Sequence, residues 1–278
     1  DFCLSRGLGD VYKRQGMSLL KVMTLNIGNP SLQRVQKQID WLETRDEDVF
    51  VLTETKLSQG CLYLEEYFGE VGSTLFDYGN EPKFHVFFPK SQTEDLGVMI
   101  LSRFPILSTE SCFEKSSPYY SRLINVCLDF YGNKVGVMGL YVPSRDSSAE
   151  KIKRKKQFVI DYLNYLKQLG GKKEIPYVIC GDLNVLEEKH VPHYRNFLKW
   201  EYDFYGRFSH FGYTDAFRLL HPTENEYSWV GRTNDGYRYD HCFVSKEISK
   251  RVVKCCYIHE TRKIPITDHS ALTLTLDF

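Results

Sequence analysis

Short runs of alternating or continuous apolar residues recur along the chain and predict β-strands. These runs occupy residues 22–27, 49–53, 96–101, 123–130, 134–142, 177–180, 239–245, 252–258 and 271–276. Between some of them the apolar residues follow a helical spacing instead. Asn29 and Pro30 are expected to cap one such helix and to fill its first turn. The apolar face of that helix would consist of Leu32, Val35, Ile39 and Leu42.

The predicted strands are too numerous for one parallel sheet covered by helices. Several follow one another through short turns such as Tyr131-Gly132-Asn133, which favours antiparallel pairing, and the helices would cover outer faces. We therefore predict an α/β fold in which two mixed sheets stack and are flanked by helices. No low-complexity linker or internal repeat divides the chain, so residues 17–278 are expected to form a single domain. Residues 1–16 carry no periodicity and are predicted to be an extraneous, non-native tail.

Composition narrows the class of protein. The chain has 278 residues, of which 42% are hydrophobic, enough for one large core. No apolar stretch reaches the roughly 18 to 20 residues of a membrane span and no charged-then-apolar leader opens the chain, so we expect a cytoplasmic protein without membrane association. Eight cysteines without paired CxxC spacing predict free thiols rather than a zinc site. No obligate protein partner is indicated, and a monomer is expected.

Charge is balanced overall but unevenly distributed. Lysine plus arginine and aspartate plus glutamate number 36 each, so no general attraction for a polyanion is expected. A dense basic run is formed by Lys151, Lys153, Arg154, Lys155 and Lys156. This run is either a local basic surface or the solvated face of a helix. The buried stripe of that helix would be Ile152, Val159, Leu163 and Leu166.

Five short polar motifs carry the candidate chemistry. In chain order they are TLNI with Asn26, LTETK with Glu54, GDLN with Asp182 and Asn184, RYDH with Asp240, and TDHS with Asp268 and His269. Metal-assisted cleavage of a phosphodiester needs hard oxygen ligands, a proton donor or acceptor, and an imidazole held by a carboxylate. All three are present in this set.

The placement of polar residues on the predicted strands indicates a shared site. Those that end strands are Asn26, Glu54, Tyr141 and Asp182, and those that begin strands are Asp240 and His269. Antiparallel neighbours bring such ends to one rim of a sheet. Burying these groups separately would cost about a few kcal/mol each, so a common, wet rim that holds a metal ion is expected.

The order of the motifs and their flanks resemble those of the endonuclease/exonuclease/phosphatase superfamily, most closely the exonuclease III and apurinic/apyrimidinic endonuclease branch. The resemblance runs from Met17 to the end of the chain. It implies a four-layer α/β/β/α sandwich and phosphodiester hydrolysis with Mg²⁺ or Mn²⁺. Glu54 matches the metal-binding glutamate, and Asn26 and Asp268 would complete the ligands directly or through water. Taken alone, LTETK also fits an exposed loop glutamate.

The same resemblance implies roles for the other motifs. The residue matching Asp182 activates water or protonates the leaving oxygen, and the one matching Asn184 contacts the phosphate. Asp240 and His269 match a pair directed at the phosphate, with the histidine acting as base or as charge stabiliser. Taken alone, GDLN is also typical of a turn after a strand, whose glycine allows a sharp bend.

Two further residues match family motifs outside this set. Tyr141, in LYVPS, matches the tyrosine of a YxP motif and would reach the phosphate or the metal-bound water, although a packing tyrosine is the alternative. Arg122, in SRLINV, resembles the arginine of a GR motif and would bind substrate. Both assignments come from the resemblance alone.

Substrate preference is implied by the segments YSWVGR and GYRYDH. They resemble the tryptophan loop and the GWRLDY motif of the DNA-repair branch, so that Trp229, Tyr237 and Tyr239 would line an abasic-sugar pocket. Here tyrosines replace the tryptophan and leucine of that motif. The aromatic-rich region 190–211 would either stack on unpaired bases or form core. The alternatives to a DNA 3′-exonuclease or abasic-site endonuclease are a phosphoesterase for a small or lipid phosphate, which the neutral charge favours, and a noncatalytic binding module.

Overall fold

A computed structural model describes residues 18–69, 84–90, 95–171 and 174–278. The predicted extraneous tail, 1–16, lies outside these ranges. The strands are β1 (Leu19–Asn26), β2 (Val49–Thr55), β3 (His85–Phe87), β4 (Gly97–Ser102), β5 (Ile106–Ser111), β6 (Leu123–Phe130), β7 (Asn133–Tyr141), β8 (Tyr177–Asp182), β9 (Tyr213–Asp215), β10 (Trp229–Val230), β11 (Gly236–Tyr237), β12 (Asp240–Ser245), β13 (Val252–Ile258) and β14 (Ala271–Asp277). The helices are α1 (Leu32–Glu43), α2 (Gln59–Gly69), α3 (Ala149–Gly170), α4 (Lys199–His210), α5 (Ala216–Leu220), a 3₁₀ helix (Lys246–Arg251) and α6 (Glu260–Lys263).

The larger strands form two mixed six-stranded sheets. The first has the order β13-β14-β1-β2-β4-β3, and the second has the order β5-β6-β7-β8-β12-β9. In each sheet one central pair is parallel, β1 with β2 and β7 with β8, and the other pairs are antiparallel. The prediction of two mixed sheets is confirmed.

Four layers result from the way these sheets bury their apolar faces. Inward-facing side chains of both sheets form one core, among them Val22, Val51, Val137 and Val178. Helices α1 and α2 pack on the outer face of the first sheet through Val35, Ile39, Leu64 and Phe68. Helices α3 and α4 cover the second sheet through Phe158, Tyr162, Phe204 and Phe208. The α/β/β/α sandwich is therefore confirmed.

Helix α1 begins later than the sequence indicated. Ser31, not Asn29, is its N-cap, and the Ser31 hydroxyl accepts a hydrogen bond from the backbone N–H of Arg34. Gly28 and Asn29 have φ angles of 63° and 40°, in the left-handed region, so the chain still turns at these positions. Pro30 consequently precedes the helix instead of filling its first turn.

The buried face of α3 differs from the predicted stripe. Val159 and Leu166 are buried as expected, but Lys155 is also buried, at 1% exposure, together with Phe158 and Tyr162. Residues 155, 158, 159, 162 and 166 recur at helical spacing, so Lys155 lies on the same face as the core residues. The basic run is thus solvated except for Lys155, whose ammonium group forms hydrogen bonds inside the protein.

Other expectations concern the membrane and the cysteines. Within the described ranges, no helix combines the length and apolar character needed to cross a bilayer. The seven cysteines in those ranges are free, and Cys61, Cys180, Cys242 and Cys255 are buried. Cys3 lies outside the described residues. The cytoplasmic location and monomeric state stay predictions.

Candidate active site

The polar ends of the central strands meet at one rim of the sandwich. Asp182 ends β8. In the strand register it lies opposite Asp240, at the start of the antiparallel strand β12, and opposite Tyr141, at the end of the parallel strand β7. A cavity of about 380 Å³ opens there, which we call the rim cleft. Its lining includes the predicted site residues Glu54, Tyr141, Asp182, Asn184, Trp229, Tyr239, Asp268 and His269.

Glu54 reaches the rim cleft because β2 is irregular at this residue. Thr53 and Thr55 pair with consecutive residues of β4, so Glu54 is an extra residue in the strand and forms a β-bulge. Its φ of 57° lies in the left-handed region, which is uncommon for glutamate. One carboxylate oxygen, Oε2, accepts hydrogen bonds from Asn26 and, at 3.4 Å, from the Tyr141 hydroxyl. The side chain is half-buried and lines the cleft.

Asn26 joins the two halves of the site rather than facing the cleft. Its side-chain Nδ2 donates to Glu54 Oε2 at 2.8 Å and to Asp182 Oδ2 at 2.9 Å. Its Oδ1 accepts from the backbone N–H of Gly28 at 2.9 Å. The amide oxygen is thus turned towards Gly28 and away from Glu54, and the predicted role of Asn26 as a metal ligand, directly or through water, stays a prediction. Asn26 holds the two carboxylates at a fixed separation.

Besides Asp182, the carboxylates that line the rim cleft are those of Glu54 and Asp268. Asp268 is exposed, and its Oδ2 accepts a hydrogen bond from Trp229 Nε1 at 3.0 Å. Within the described part of the chain, Glu54 Oε1 and Asp268 Oδ1 have no hydrogen-bond partner. Two half-solvated carboxylates with oxygens to spare suit a hard divalent cation. The residues present therefore fit the metal site that the motifs predicted.

Asp240, His269 and Asp182 form a buried chain of interacting groups. Asp240 Oδ2 is 2.8 Å from His269 Nδ1, and His269 Nε2 is 3.9 Å from Asp182 Oδ2. One atom from each of the three lies within 4.8 Å of the others, which is also close enough to hold a metal. The Asp240 bond occupies Nδ1 and turns Nε2 towards Asp182 and the cleft. This arrangement is typical of a carboxylate-oriented imidazole.

Burial and charge shift the protonation of this chain. Burial alone would lower the pKa of His269, but the charge and hydrogen bond of Asp240, with the charge of Asp182, raise it to about 9. For Asp182, burial followed by repulsion from Asp240 raises the pKa to about 7, although His269 and Asn26 oppose the shift. The imidazole is accordingly held as a cation beside the cleft. A group of this charge stabilises negative charge on a phosphate.

The Tyr141 hydroxyl of the cleft is also held in its protonated form. Burial, together with the negative charges of Glu54 and Asp182, raises the pKa of Tyr141, so its hydroxyl keeps its proton. Arg122 packs behind this ring, with its guanidinium carbon 4.7 Å from the ring centre. The guanidinium donates two hydrogen bonds to Asp95 at 3.0 Å and one to the Tyr141 carbonyl. Arg122 thus does not line the cleft, and the predicted substrate contact is replaced by support of Tyr141.

The GDLN segment holds Asp182 through its own backbone. Asp182 Oδ1 accepts from the backbone N–H of Asn184 at 3.0 Å, and the Asn184 side chain donates to the Val142 carbonyl at 2.9 Å. The glycine serves a different purpose from the predicted bend. Gly181 lies inside β8, where a Cβ would come within 1.9 Å of the Leu140 carbonyl oxygen of β7. Only glycine allows the two parallel strands to approach this closely.

Substitution of Gly181 by alanine is expected to lower the free energy of unfolding by about 3 kcal/mol or more, because two backbones must separate to admit the methyl group. The matched control is Gly206→Ala, since a Cβ at Gly206 of α4 meets nothing within 4 Å. Alanine there should stabilise the helix by roughly 0.5–1 kcal/mol. Urea titration of Gly181→Ala and Gly206→Ala measures both free energies of unfolding. Equal changes in the two variants would show that Gly181 is not needed for the close approach of β7 and β8.

Aromatic residues form one wall of the rim cleft. Trp229 and Tyr239 line it together with Phe197, a residue of the aromatic-rich region. Tyr237 lies behind, stacked between Tyr239 at 5.1 Å and Tyr194 at 4.3 Å between ring centres. Tyr237 is therefore a support of the wall and not part of the cleft lining, contrary to its predicted substrate contact. The aromatic-rich region divides between cleft and core, because Phe204 and Phe208 are buried.

Sequence reasoning missed two cations at the cleft. Lys155 Nζ donates to the Asn184 carbonyl at 2.6 Å and to Glu201 Oε1 at 2.7 Å. Arg145, which follows the LYVPS segment, donates to both carboxylate oxygens of Glu201 and to the Asn196 carbonyl at 2.8 Å. Both line the cleft. The helical spacing of Lys155 with the core residues of α3 was a usable signal, whereas nothing in the sequence marked Arg145.

His241 follows Asp240 in β12 and lies on the opposite face of the strand. It is fully buried, with Nε2 at 3.0 Å from the Val185 carbonyl oxygen. Burial and the nearby charge of Arg238 lower its pKa to about 4. His241 is not among the residues that line the cleft, but because it stays neutral when folded it makes the fold sensitive to acid.

That sensitivity has a predictable sign. Above pH 6.5 His241 is neutral in both states and adds no pH dependence; below it the unfolded chain takes up a proton that the folded chain does not. Between pH 7.5 and 5 the wild type should lose about 2 kcal/mol more unfolding free energy than His241→Gln. Urea titrations of both proteins at each pH measure the difference. Parallel pH profiles would show that His241 is not held neutral.

Similarity to a known protein family agrees with this geometry. The sequence profile of the Endonuclease/Exonuclease/phosphatase family matches residues 23–269, a span that contains every residue of the rim cleft. The chain belongs to this family. As a member it is a hydrolase of the nuclease and phosphatase kind, and divalent-metal dependence is typical of that family. The predicted family and enzyme class are therefore confirmed.

Individual relatives agree in length and fold. The exodeoxyribonuclease of Bacillus subtilis strain 168 is 26% identical over 250 residues, which cover 84% of this chain and 91% of that protein. Among solved structures, an AP endonuclease from Archaeoglobus fulgidus aligns with a TM-score of 0.75 and 23% identity, covering 93% of this chain and all of that one. A 3′-5′ exonuclease from Neisseria meningitidis aligns with a TM-score of 0.74 and 22% identity over the same shares. These two structures support the fold.

Proposed function

We propose that this member of the Endonuclease/Exonuclease/phosphatase family hydrolyses DNA phosphodiesters with Mg²⁺ or Mn²⁺, as a 3′-exonuclease, an abasic-site endonuclease or both. The observation that carries the proposal is the chain Asp240–His269–Asp182, which ends in the same cleft as the carboxylates of Glu54 and Asp268. Proton handling, charge stabilisation and cation ligands thus converge on one position. The name of the B. subtilis relative, an exodeoxyribonuclease, supports DNA as the substrate.

The residues divide the chemistry between them. Glu54 and Asp268 would hold the cation, and Asn26 keeps Glu54 aligned with Asp182. A cation held by these two carboxylates would supply Lewis-acid polarisation of the phosphoryl group. The His269 cation, oriented by Asp240, stabilises the charge that develops on the phosphoryl oxygens.

Asp182 is the proton-transfer group. It lies beside His269 and lines the cleft, while the Asn184 backbone N–H fixes its Oδ1 and the Asn26 amide fixes its Oδ2. Asn184 and Tyr141 supply an amide and a hydroxyl that position the phosphate. Magnesium or manganese is favoured over zinc because the site offers hard carboxylate oxygens and no thiolate.

The aromatic wall distinguishes a nucleic acid from a small ester. Trp229, Tyr239 and Phe197 give one side of the cleft a flat apolar surface beside the phosphate position. Sugar and base rings pack on such surfaces, and stacking on aromatics contributes about 1–3 kcal/mol per base. A small phosphate would leave this wall exposed to water.

The test uses the full chain with labelled duplexes that carry a recessed 3′ end, a nick or an abasic site. Wild type, Glu54→Ala and Asp182→Ala are compared with and without Mg²⁺. The matched control is Asp203→Asn, which removes an exposed carboxylate that only pairs with Lys199 on the surface of α4. Metal-dependent cleavage that both alanine variants lose and the control keeps would support the proposal.

The duplex that is cut fastest identifies the preferred DNA structure. Intact DNA in every reaction, together with hydrolysis of a small phosphodiester, would overturn DNA as the substrate. That outcome would favour the small- or lipid-phosphate alternative. Inactivity on both substrates in the presence of metal would count against catalysis altogether.

A further inference from the structure

A second hollow adjoins the rim cleft on the far side of Glu54 and Asp268. This cavity, which we call the arginine hollow, has a volume of about 500 Å³. Its walls come from Gly28, Arg34, Arg262, Pro265 and Thr267. Glu54 and Asp268 line both cavities, so the two meet at the candidate cation site.

Arg34 and Arg262 have no carboxylate within salt-bridge distance among the described residues, although the charge of Glu226, which is bonded to His259, acts on Arg262 from farther away. Arg34 donates from Nη2 to the Gly28 carbonyl, while its Nε is buried without a partner. Arg262 donates from Nε to the Ser270 hydroxyl at 2.7 Å and lies 3.1 Å from His259 Nδ1. Within the described ranges neither guanidinium forms a salt bridge. Once a divalent cation neutralises Glu54 and Asp268, both positive charges remain for an anion.

The direction of each guanidinium is fixed by its surroundings. Gly28 has a φ of 63°, and a Cβ there would lie 3.3 Å from Arg34 Nη2. The glycine therefore lets Arg34 lie against the backbone. Arg262 belongs to the short helix α6, directly before the TDHS segment, and its bond to Ser270 ties it to the residue after His269. Such preorganised arginines are suited to planar, bidentate contact with phosphate.

We propose that Arg34 and Arg262 bind a second phosphate of the DNA backbone, the neighbour in the same strand of the phosphate held at Glu54. The inference rests on the proposed function and deepens it, since a polynucleotide occupies both cavities and a single phosphoester occupies only the rim cleft. Contacts of this type position a strand without reading its sequence. The arginine hollow thereby selects polymers over small phosphodiesters.

The test compares Arg34→Gln and Arg262→Gln with the charge-matched control Arg251→Gln. Arg251 bonds only to the Asp277 carbonyl and lies at the other end of β13 from the rim. Steady-state kinetics are measured with a DNA duplex and with bis(4-nitrophenyl) phosphate. Each hollow variant should raise KM for DNA about fivefold and reduce the slope of log Kd against log salt by about 1. The kcat on DNA and the rate on the small ester should stay within about twofold, as in the control.

Arg262→Lys keeps the positive charge that Arg262→Gln removes. It should therefore restore the slope of log Kd against log salt, while KM for DNA recovers only in part. Arg34→Gln removes one backbone contact on a solvated helix, so it carries the test if Arg262→Gln unfolds. Unchanged KM and salt slope in Arg34→Gln would overturn the inference alone. An equal loss on the small ester would also overturn it, because the arginines would then support the catalytic centre. Wild type that hydrolyses the ester but not DNA would overturn the proposed function as well.

Discussion

Replacement of Glu54 by glutamine is expected to lower the rate of phosphodiester hydrolysis by about a thousandfold, equivalent to about 4 kcal/mol of transition-state stabilisation. Glutamine keeps an oxygen that can accept from Asn26, so the network of the rim is retained. What is lost is one of the two carboxylate charges that we propose hold the cation, the other being that of Asp268. Single-turnover cleavage over a range of Mg²⁺ concentrations measures the loss. Excess metal should restore only a small part of the rate.

A second change at the same position separates catalysis from stability. Glu54 adopts a left-handed backbone conformation, which costs a non-glycine residue roughly 1 kcal/mol or more. Glu54→Gly should therefore be inactive but at least as stable to urea as the wild type. If Glu54→Gln kept activity within tenfold, the carboxylate would not be a principal cation ligand. If Glu54→Gly unfolded, the bulge would depend on side-chain contacts rather than on backbone preference.

The strands were predictable from sequence because their burial leaves a direct trace. Strands β6 and β13 have the bounds that their apolar runs indicated, since both are flanked by turn residues and contain few polar interruptions. Short edge strands such as β9 and β11 have too few residues to show a period. Helix α4 was missed because its aromatic residues satisfy both a strand and a helix pattern. Pairing within the sheets decided the short strands, and packing of Phe204 and Phe208 on the second sheet decided α4.

The candidate site was predictable in its residue types but not in its geometry. Motif order located Glu54, Asp182 and His269, and the structure brings them to one cleft. Sequence could not show that the Asn26 oxygen turns to Gly28, because that depends on which polar groups surround the amide. The position of Arg122 behind Tyr141 is equally tertiary, since it depends on Asp95 from another loop. Contacts between residues that are far apart in the sequence cannot be predicted from motifs along the chain.

These supporting contacts fix the relative positions of the side chains in the cleft. Asn26 ties Glu54 to Asp182, and the buried pair of Lys155 with Glu201 supports Asn184 from below. In the proposed assignment, Glu54 at the end of the first sheet's β2 would hold the cation, and Asp182 at the end of the second sheet's β8 would transfer the proton. Substitution of Asn26 should consequently alter catalysis by changing the distance between Glu54 and Asp182, and not by removing a charge. Sub-ångström alignment of this kind is decisive for phosphoryl chemistry.

Replacement of Asp182 by asparagine is expected to lower kcat on DNA by about a thousandfold, because an amide cannot exchange a proton with water or with the leaving oxygen. The KM for DNA and the Mg²⁺ dependence should change by less than about threefold, since neither the aromatic wall nor the Glu54–Asp268 pair is altered. Steady-state kinetics with a Mg²⁺ titration measure both quantities. Asp203→Asn serves again as the surface carboxylate control.

Coupling between Asp182 and His269 provides the stricter form of this prediction. The two side chains face each other at 3.9 Å and act on the same phosphate, so their contributions should not add. The double variant Asp182→Asn, His269→Gln should be at most about tenfold slower than the worse single variant. Losses that multiply would mean that the two residues act at separate steps. An Asp182→Asn enzyme with near-normal kcat would transfer the proton role to another group of the cleft.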